Sequence, residues 1–102
     1  MDSLVCLTLH APQSLSDRLS DFLLEHEAMT AEFSTSDVRF HGSELGQRSM
    51  SEQIQGHARQ VQVSVIIGSA DAERLLQELG QAFPGCGLSY WIGPVSKSGI
   101  LP

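Results

Sequence analysis

The chain repeats one order of secondary structure: strand, helix, strand. In its last third, apolar and polar residues alternate over 59–67, a helical pattern covers 68–83, and an aromatic strand pattern covers 87–95. The first third, 4–40, has the same order. Two such units in 102 residues predict one domain over 1–102. The expected fold is an α+β, ferredoxin-like βαββαβ sandwich, in which a four-stranded antiparallel sheet carries two helices on one face.

The helices are predicted from apolar residues that recur three and four positions apart. The first runs from about Ser14 to His26, and Ser14 followed by Asp17 is close to a capping box. Ser69 or Asp71 is expected to cap the second helix. Gly85-Cys86-Gly87 is expected to form the turn from this helix to the last strand, with glycines at positive φ.

The strands differ in how clearly the sequence marks them. The first is nearly continuous in apolar character over 4–9 and is expected to end at His10-Ala11-Pro12. The second, 32–40, is polar at its centre, so it is either exposed there or broken by a bulge. The third alternates cleanly over 60–67.

Composition limits the classes of partner. The formal net charge is −6, which argues against nucleic acid and against an anionic membrane surface, because both need a basic footprint. The N-terminus has no basic segment, and the apolar run 4–9 is too short to insert into a membrane, so a cytoplasmic protein is expected. In that compartment Cys6 and Cys86 are expected to be free thiols.

One face of the predicted sheet lacks a cover, because two helices cover four strands only once. The first strand reads as apolar on both faces, and Ile66 and Trp91 interrupt the polar phase of their strands. A bare apolar face is an interaction site by default, so we expect a homo-oligomer whose interface includes Ile66 and Trp91. The alternative is that the tail 96–102 covers Trp91.

The connection between the second and third strands is long and polar. It spans 42–58, about 17 residues, whereas hairpin connections usually have about 2–5. His41 and Glu44 open it and His57 closes it, and anchoring on adjacent strands would bring the two imidazoles together. With Cys86 from a neighbouring chain, these residues would suit Zn²⁺, Cu²⁺, Ni²⁺ or Co²⁺. Solvated histidines are the alternative.

No catalytic motif emerges from the sequence. There is no phosphate-binding Walker sequence and no Gly-Xaa-Ser-Xaa-Gly elbow, and nothing fixes the geometry of a Cys–His pair. The predicted core stripes offer no titratable side chain. We therefore expect a protein that is not an enzyme and needs no cofactor.

The element order, together with Val61–Ile67 and Tyr90–Val95, resembles the PII nitrogen-regulatory family. Ser49–Gly56 and Ala82–Gly85 are more similar to a PII-like family associated with heavy-metal efflux systems. The resemblance implies a trimer with an effector in a cleft between subunits. It also implies that the 42–58 loop docks on a protein target such as a membrane transporter. It assigns contact with the effector or target to five residues: Gly42, Glu52, Gln53, Gly56 and Arg59.

The resemblance implies little about a nucleotide. PII proteins bind ATP through basic residues, and here only Arg59 and Lys97 lie near the matching stretches, both out of register. ATP is therefore a doubtful ligand, and the expected effector is a transition metal or a small anion. Two other functions stay open. One is a small cofactor-independent oxygenase or isomerase. The other is a metal carrier, although this chain lacks the CxxC sequence that such carriers usually have.

Overall fold

The computed structural model describes residues 3–26, 32–41 and 58–102. Within them lie four strands, two α-helices and one short 3₁₀ helix. In chain order they are β1 (Leu4–Pro12), the 3₁₀ helix (Gln13–Leu15), α1 (Ser16–Glu25), β2 (Ser34–Phe40), β3 (Ala58–Gly68), α2 (Ser69–Ala82) and β4 (Ser89–Pro94). The strands form one sheet in the order β2-β3-β1-β4, and all three pairings are antiparallel. The predicted ferredoxin-like fold is confirmed.

The core lies between the sheet and the two helices. Leu7 of β1 sits between Val65 of β3 and Ile92 of β4, and this register places the odd-numbered residues of β1 and β3 and the even-numbered residues of β4 on the helix side. Burying a side chain such as Leu7 contributes about 1.5–3 kcal/mol. The buried apolar residues are Val5, Leu7, Leu9, Ala11, Leu19, Leu23, Val61, Val63, Val65, Ile67, Ala72, Leu75, Leu79 and Phe83.

Strand β1 is longer than predicted. His10, Ala11 and Pro12 do not end it but pair with Gln62, Val61 and Gln60. Ala11 is completely buried on the helix side, and Pro12 is tolerated because it occupies the last strand position. Strand β3 also begins earlier than expected, since Ala58, predicted as the end of the long loop, pairs with Phe40. Strand β2 is exposed at its centre and pairs one residue to one along its length, without a bulge.

The predicted helix caps are wrong. α1 begins at Ser16 after the 3₁₀ turn, its N-cap is Leu15, and no side chain caps it. α2 follows β3 directly with Gly68 as its N-cap. The backbone N–H of Ser69 donates instead to the carbonyl oxygen of Ser3 at 2.8 Å. A tertiary hydrogen bond therefore takes the place of a capping side chain.

The ends of both helices show specific contacts. His26, the C-cap of α1, donates from Nδ1 to the carbonyl oxygen of Phe22 at 2.7 Å, and its Nε2 lies 3.0 Å from Oε2 of Glu78 on α2. After α2, Gly85 and Gly87 have φ of 68° and 77°, which confirms the predicted turn. None of the helices in the described ranges is long and apolar enough to span a membrane.

Candidate functional site

The sheet face opposite the helices carries no charged side chain among the described residues. On this face Cys6 of β1 lies between Ile66 of β3 and Gly93 of β4. Every second residue along each strand points to the same side, which identifies the other members of the face. Its described members are Leu4, Cys6, Thr8, His10, Pro12, Gln60, Gln62, Ser64, Ile66, Gly68, Ser34, Ser36, Val38, Ser89, Trp91 and Gly93. We call this surface the open face. Depletion of charge is typical of the centre of a protein interface.

The open face is polar at its centre, which corrects the expectation that the first strand is apolar on both sides. His10 is 7% exposed, and its Nε2 lies 2.8 Å from Oε1 of Gln62. Its ring meets the ring of Trp91 edge to face, with centroids 4.8 Å apart. Thr8 and Gln60 are also buried on this side. The sequence does not reveal these polar groups, because Thr8 lies among apolar neighbours and His10 belongs to the segment His10-Ala11-Pro12, which predicts the end of the strand.

Three large apolar side chains remain partly exposed on this face. Leu4 is 43% exposed at the start of β1, and the two predicted interface residues, Ile66 and Trp91, are 48% and 52% exposed. The C-terminal tail crosses part of the face, where Ser98 lines a groove with Cys6 and Ile66, but half of Trp91 is still in contact with solvent. The assignment of Ile66 and Trp91 to an interface between copies stays a prediction.

Two arginines face each other where the long connection leaves and rejoins the sheet, a place that we call the base of the connection. In the β2–β3 ladder Arg39 pairs with Arg59, and the next pair, Phe40 with Ala58, closes the ladder. Both arginines are exposed, and with Gln13 and Asp37 they line a shallow depression on the helix side. Like charges directly opposite each other are destabilising. An anion in the depression would remove that repulsion.

Sequence reasoning found Arg59 and missed Arg39. The polar centre of β2 gives no register, so the sequence does not show which residue faces Arg59. The pairing could have been suspected from the sequence, because Arg39 and Arg59 flank the connection on two strands that are predicted to be antiparallel neighbours.

The predicted metal ligands are not brought together within the described part of one chain. His41 follows β2 and Cys86 precedes β4, the two edge strands, so about 14 Å of sheet separates them. Among the described residues no three His, Cys, Asp or Glu side chains form a group that could hold a metal ion. Glu44 and His57 lie outside these residues, as do the predicted contact residues Gly42, Glu52, Gln53 and Gly56.

A second concave surface lies between α2 and β4 and was not predicted. This α2–β4 cleft has a volume of about 560 Å³ and lies on the helix side, at the sheet edge formed by β4. Leu76 and Phe83 form part of its wall, Tyr90 is 57% exposed beside it, and Glu73 supplies a charged group. Its lining joins residues of α2, of the turn after it and of β4, and local sequence patterns do not encode such a juxtaposition.

The fold relates this chain to several solved structures. A DUF3240 family protein from Shewanella baltica superposes with a TM-score of 0.78 at 20% identity and full coverage of both chains. CutA from Synechococcus elongatus gives 0.66 at 15% identity, covering 93% of this chain and 79% of CutA. A PII-like signalling protein from Thermus thermophilus gives 0.63 at 21% identity, covering 93% of this chain and 90% of that protein. Identities this low show a shared fold and nothing further.

The sequence comparisons agree with the structural ones. No curated protein matches the chain. The family model described as a protein of unknown function, DUF3240, matches residues 1–102. The chain therefore belongs to the DUF3240 family and has the ferredoxin-like fold that PII-like and CutA proteins share.

Proposed function

We propose that this protein is a PII-like regulatory module without enzymatic activity. It binds a small effector at the base of the 42–57 segment, and the bound effector changes how that segment docks on a protein target. It acts as a homotrimer, as the resemblance to PII-like proteins implies. The observation that carries the proposal is the end of the β2–β3 ladder, where Arg39 faces Arg59.

The position of this pair links ligand binding to the connecting segment. The segment leaves the sheet after Phe40 and returns at Ala58, next to the paired arginines. A ligand held by both guanidinium groups therefore contacts both ends of the segment at once. The ligand would bind more tightly to those conformations of the segment whose ends allow both guanidinium groups to reach it. A regulatory switch requires such a difference in affinity between conformations.

The chemistry of the base favours a small anion. Two guanidinium groups match the oxygens of a phosphate or a carboxylate. Asp37 lines the same depression, so the three charged groups there sum to about +1. That charge suits inorganic phosphate or a small carboxylate better than the triphosphate of ATP.

A transition metal is the second candidate effector, supported by strand direction. β2 and β4 are antiparallel edge strands, so the end of β2 and the start of β4 lie at the same end of the sheet. When the β2 edge of one copy meets the β4 edge of the next, His41 and the neighbour's Cys86 lie at the same end of that junction. Glu44 and His57 belong to the intervening segment and could complete the ligand set.

The open face supports self-association. It has no charged group among its described residues, and it retains the half-exposed Ile66 and Trp91. Uncharged polar groups and isolated large apolar side chains on a sheet face suit burial against another copy. A non-enzymatic role is supported by the buried polar side chains of the described residues, Thr8, His10 and Gln60, because all three lie on the open face and not between sheet and helices.

Isothermal titration calorimetry with inorganic phosphate, citrate, ATP, Zn²⁺, Cu²⁺ and Co²⁺ tests the effector. We expect phosphate or citrate to bind, and Arg39→Gln or Arg59→Gln to weaken binding by about tenfold or more. Arg74→Gln is the matched control, since Arg74 lies on α2 in contact with Asp71 at 3.5 Å and is distant from the base. Equal binding by all three variants would exclude the arginine pair as the site.

Hydrogen–deuterium exchange tests the coupling to the segment. Addition of the ligand should change exchange within 42–57 in the unmodified protein and leave it unchanged in Arg39→Gln. Ligand binding without any change in that segment would remove the regulatory part of the proposal. Binding of Zn²⁺ that is lost in Cys86→Ser, with no anion binding, would establish the metal candidate instead.

A further inference from the structure

The C-terminal residues Ser96–Pro102, here called the arm, leave two large apolar side chains in water. Ile100 is 97% exposed and Leu101 is 91% exposed, more than any other large apolar residue described. Adjacent aliphatic side chains at nearly full exposure lose hydrophobic stabilisation that burial would recover. They are suited to a contact that one chain alone does not make.

The path of the arm leads it away from β4. The backbone N–H of Val95 donates to the carbonyl oxygen of Leu4 at 3.1 Å, which ties the beginning of the arm to β1. Ser98 then shares a groove with Ile66 of β3 and with Phe33, just before β2. The arm has therefore crossed the open face from the β4 edge toward the β2 edge before Ile100 is reached.

The α2–β4 cleft has the complementary shape and chemistry. Its volume of about 560 Å³ accommodates two aliphatic side chains, and Leu76, Phe83 and Leu88 offer them apolar walls. Glu73 is the charged residue among those that line it, and Lys97 is the charged residue of the arm. Opposite charges and matching apolar surfaces are both present.

An arm that fills the cleft would have to come from a different copy of the chain. The cleft is at the β4 edge on the helix side, whereas the arm crosses the other side of the sheet toward β2. Leu101 is three residues beyond Ser98, a reach of at most about 11 Å, which is too little to turn around the sheet and return. A contact that joins opposite edges is heterologous, and repeated around an axis it closes into a ring.

We propose that the arm of one copy docks into the α2–β4 cleft of a second copy, with Ile100 and Leu101 in the cleft and Lys97 near Glu73. The contact joins the β2 side of one subunit to the β4 edge of the next. It does not depend on the identity of the effector or on the role of the 42–57 segment.

Disulfide trapping tests the contact directly, because Cys86 lines the cleft. Cys6→Ser removes the other thiol, and Ile100→Cys or Leu101→Cys is then added and the full-length protein is oxidised with diamide. We expect at least one of the two variants to give covalent oligomers on non-reducing gels. Leu24→Cys, at an exposed apolar position on α1, is the control and should give none.

Other outcomes of the trapping would overturn the proposal. A disulfide within one chain would place the arm on its own body. Absence of any bond to Cys86 from both arm positions would exclude the cleft, and equal cross-linking by Leu24→Cys would show random collision.

Self-association provides the second measurement. Ile100→Asp with Leu101→Asp should raise the dissociation constant for self-association about 100-fold or more, measured by analytical ultracentrifugation. Gly80→Leu should do the same from the other side, since Gly80 lines the cleft and nothing lies within 4 Å of an added Cβ there. Unchanged association of both variants, with native circular dichroism, would refute the docking.

Discussion

His10 of β1 lies between Gln62 of β3 and Trp91 of β4 on the open face. Its Nε2 is 2.8 Å from Oε1 of Gln62, and its ring meets that of Trp91 at an interplanar angle of 89°. The neighbours of His10 across both ladders carry no charge. The centre of the open face is thus a neutral hydrogen-bonded cluster, which is compatible with burial against another copy and incompatible with a permanent charge.

A fixed charge at this position should disrupt assembly. His10→Lys should reduce self-association by about tenfold or more, because a buried ammonium group there has no carboxylate partner. His10→Gln keeps a neutral hydrogen-bonding side chain and should retain the oligomer. Native mass spectrometry measures both, with circular dichroism to verify folding. An intact oligomer of the lysine variant would show that this cluster is not buried against another copy.

Trp91 offers a more peripheral test of the same face. Trp91→Asp should shift the protein toward the monomer, because it replaces a half-exposed aromatic side chain with a charge on the proposed interface. Leu24→Asp changes an apolar side chain of similar exposure, 61%, on the outer side of α1. It should leave the oligomer unchanged. If the two variants behave alike in light scattering, the open face is not the contact surface.

Replacing glycine with alanine should have opposite effects on stability in the turn before β4 and in α2. Gly85→Ala should lower the free energy of unfolding by about 1–2 kcal/mol, since φ is 68° there and alanine disfavours that conformation. Gly80→Ala lies within α2, has open space around the added methyl group, and should raise it by about 0.5–1 kcal/mol. Urea denaturation measures both. A stabilised Gly85→Ala variant would contradict the backbone geometry.

The sequence predicts this fold well because its periodicities are local. Alternation over 60–67 sets which side of β3 faces the helices, and the register carries that side from Val65 to Leu7 and Ile92. Where prediction failed, a distant contact decided the outcome. The carbonyl oxygen of Ser3 receives the N–H of Ser69, so α2 needs no capping side chain. β3 continues far enough to pair with Pro12, so proline does not end β1 early.

The candidate site was harder to predict than the fold. Arg59 was found because it lies at the end of the long connection, but its partner depends on the register of β2, whose polar residues leave that register open. The polar centre of the open face was missed because Thr8 lies in a run of apolar neighbours. The α2–β4 cleft joins residues from two elements and has no local signature.

Removing one arginine of the Arg39–Arg59 pair should stabilise the ligand-free protein and weaken ligand binding. Arg39→Thr should raise the stability of the ligand-free protein by a few tenths of a kcal/mol, because it removes a like-charge pair from an exposed ladder and places a β-branched residue in a strand. The gain should shrink between 20 mM and 500 mM NaCl, since salt screens exposed charges. The same variant should lose phosphate-dependent stabilisation, measured as the shift in melting temperature on adding phosphate. Lys97→Thr is the control that removes a cation away from this ladder and should keep the phosphate-dependent shift. If Arg39→Thr destabilises the protein and retains that shift, the pair has a structural role and does not bind the effector.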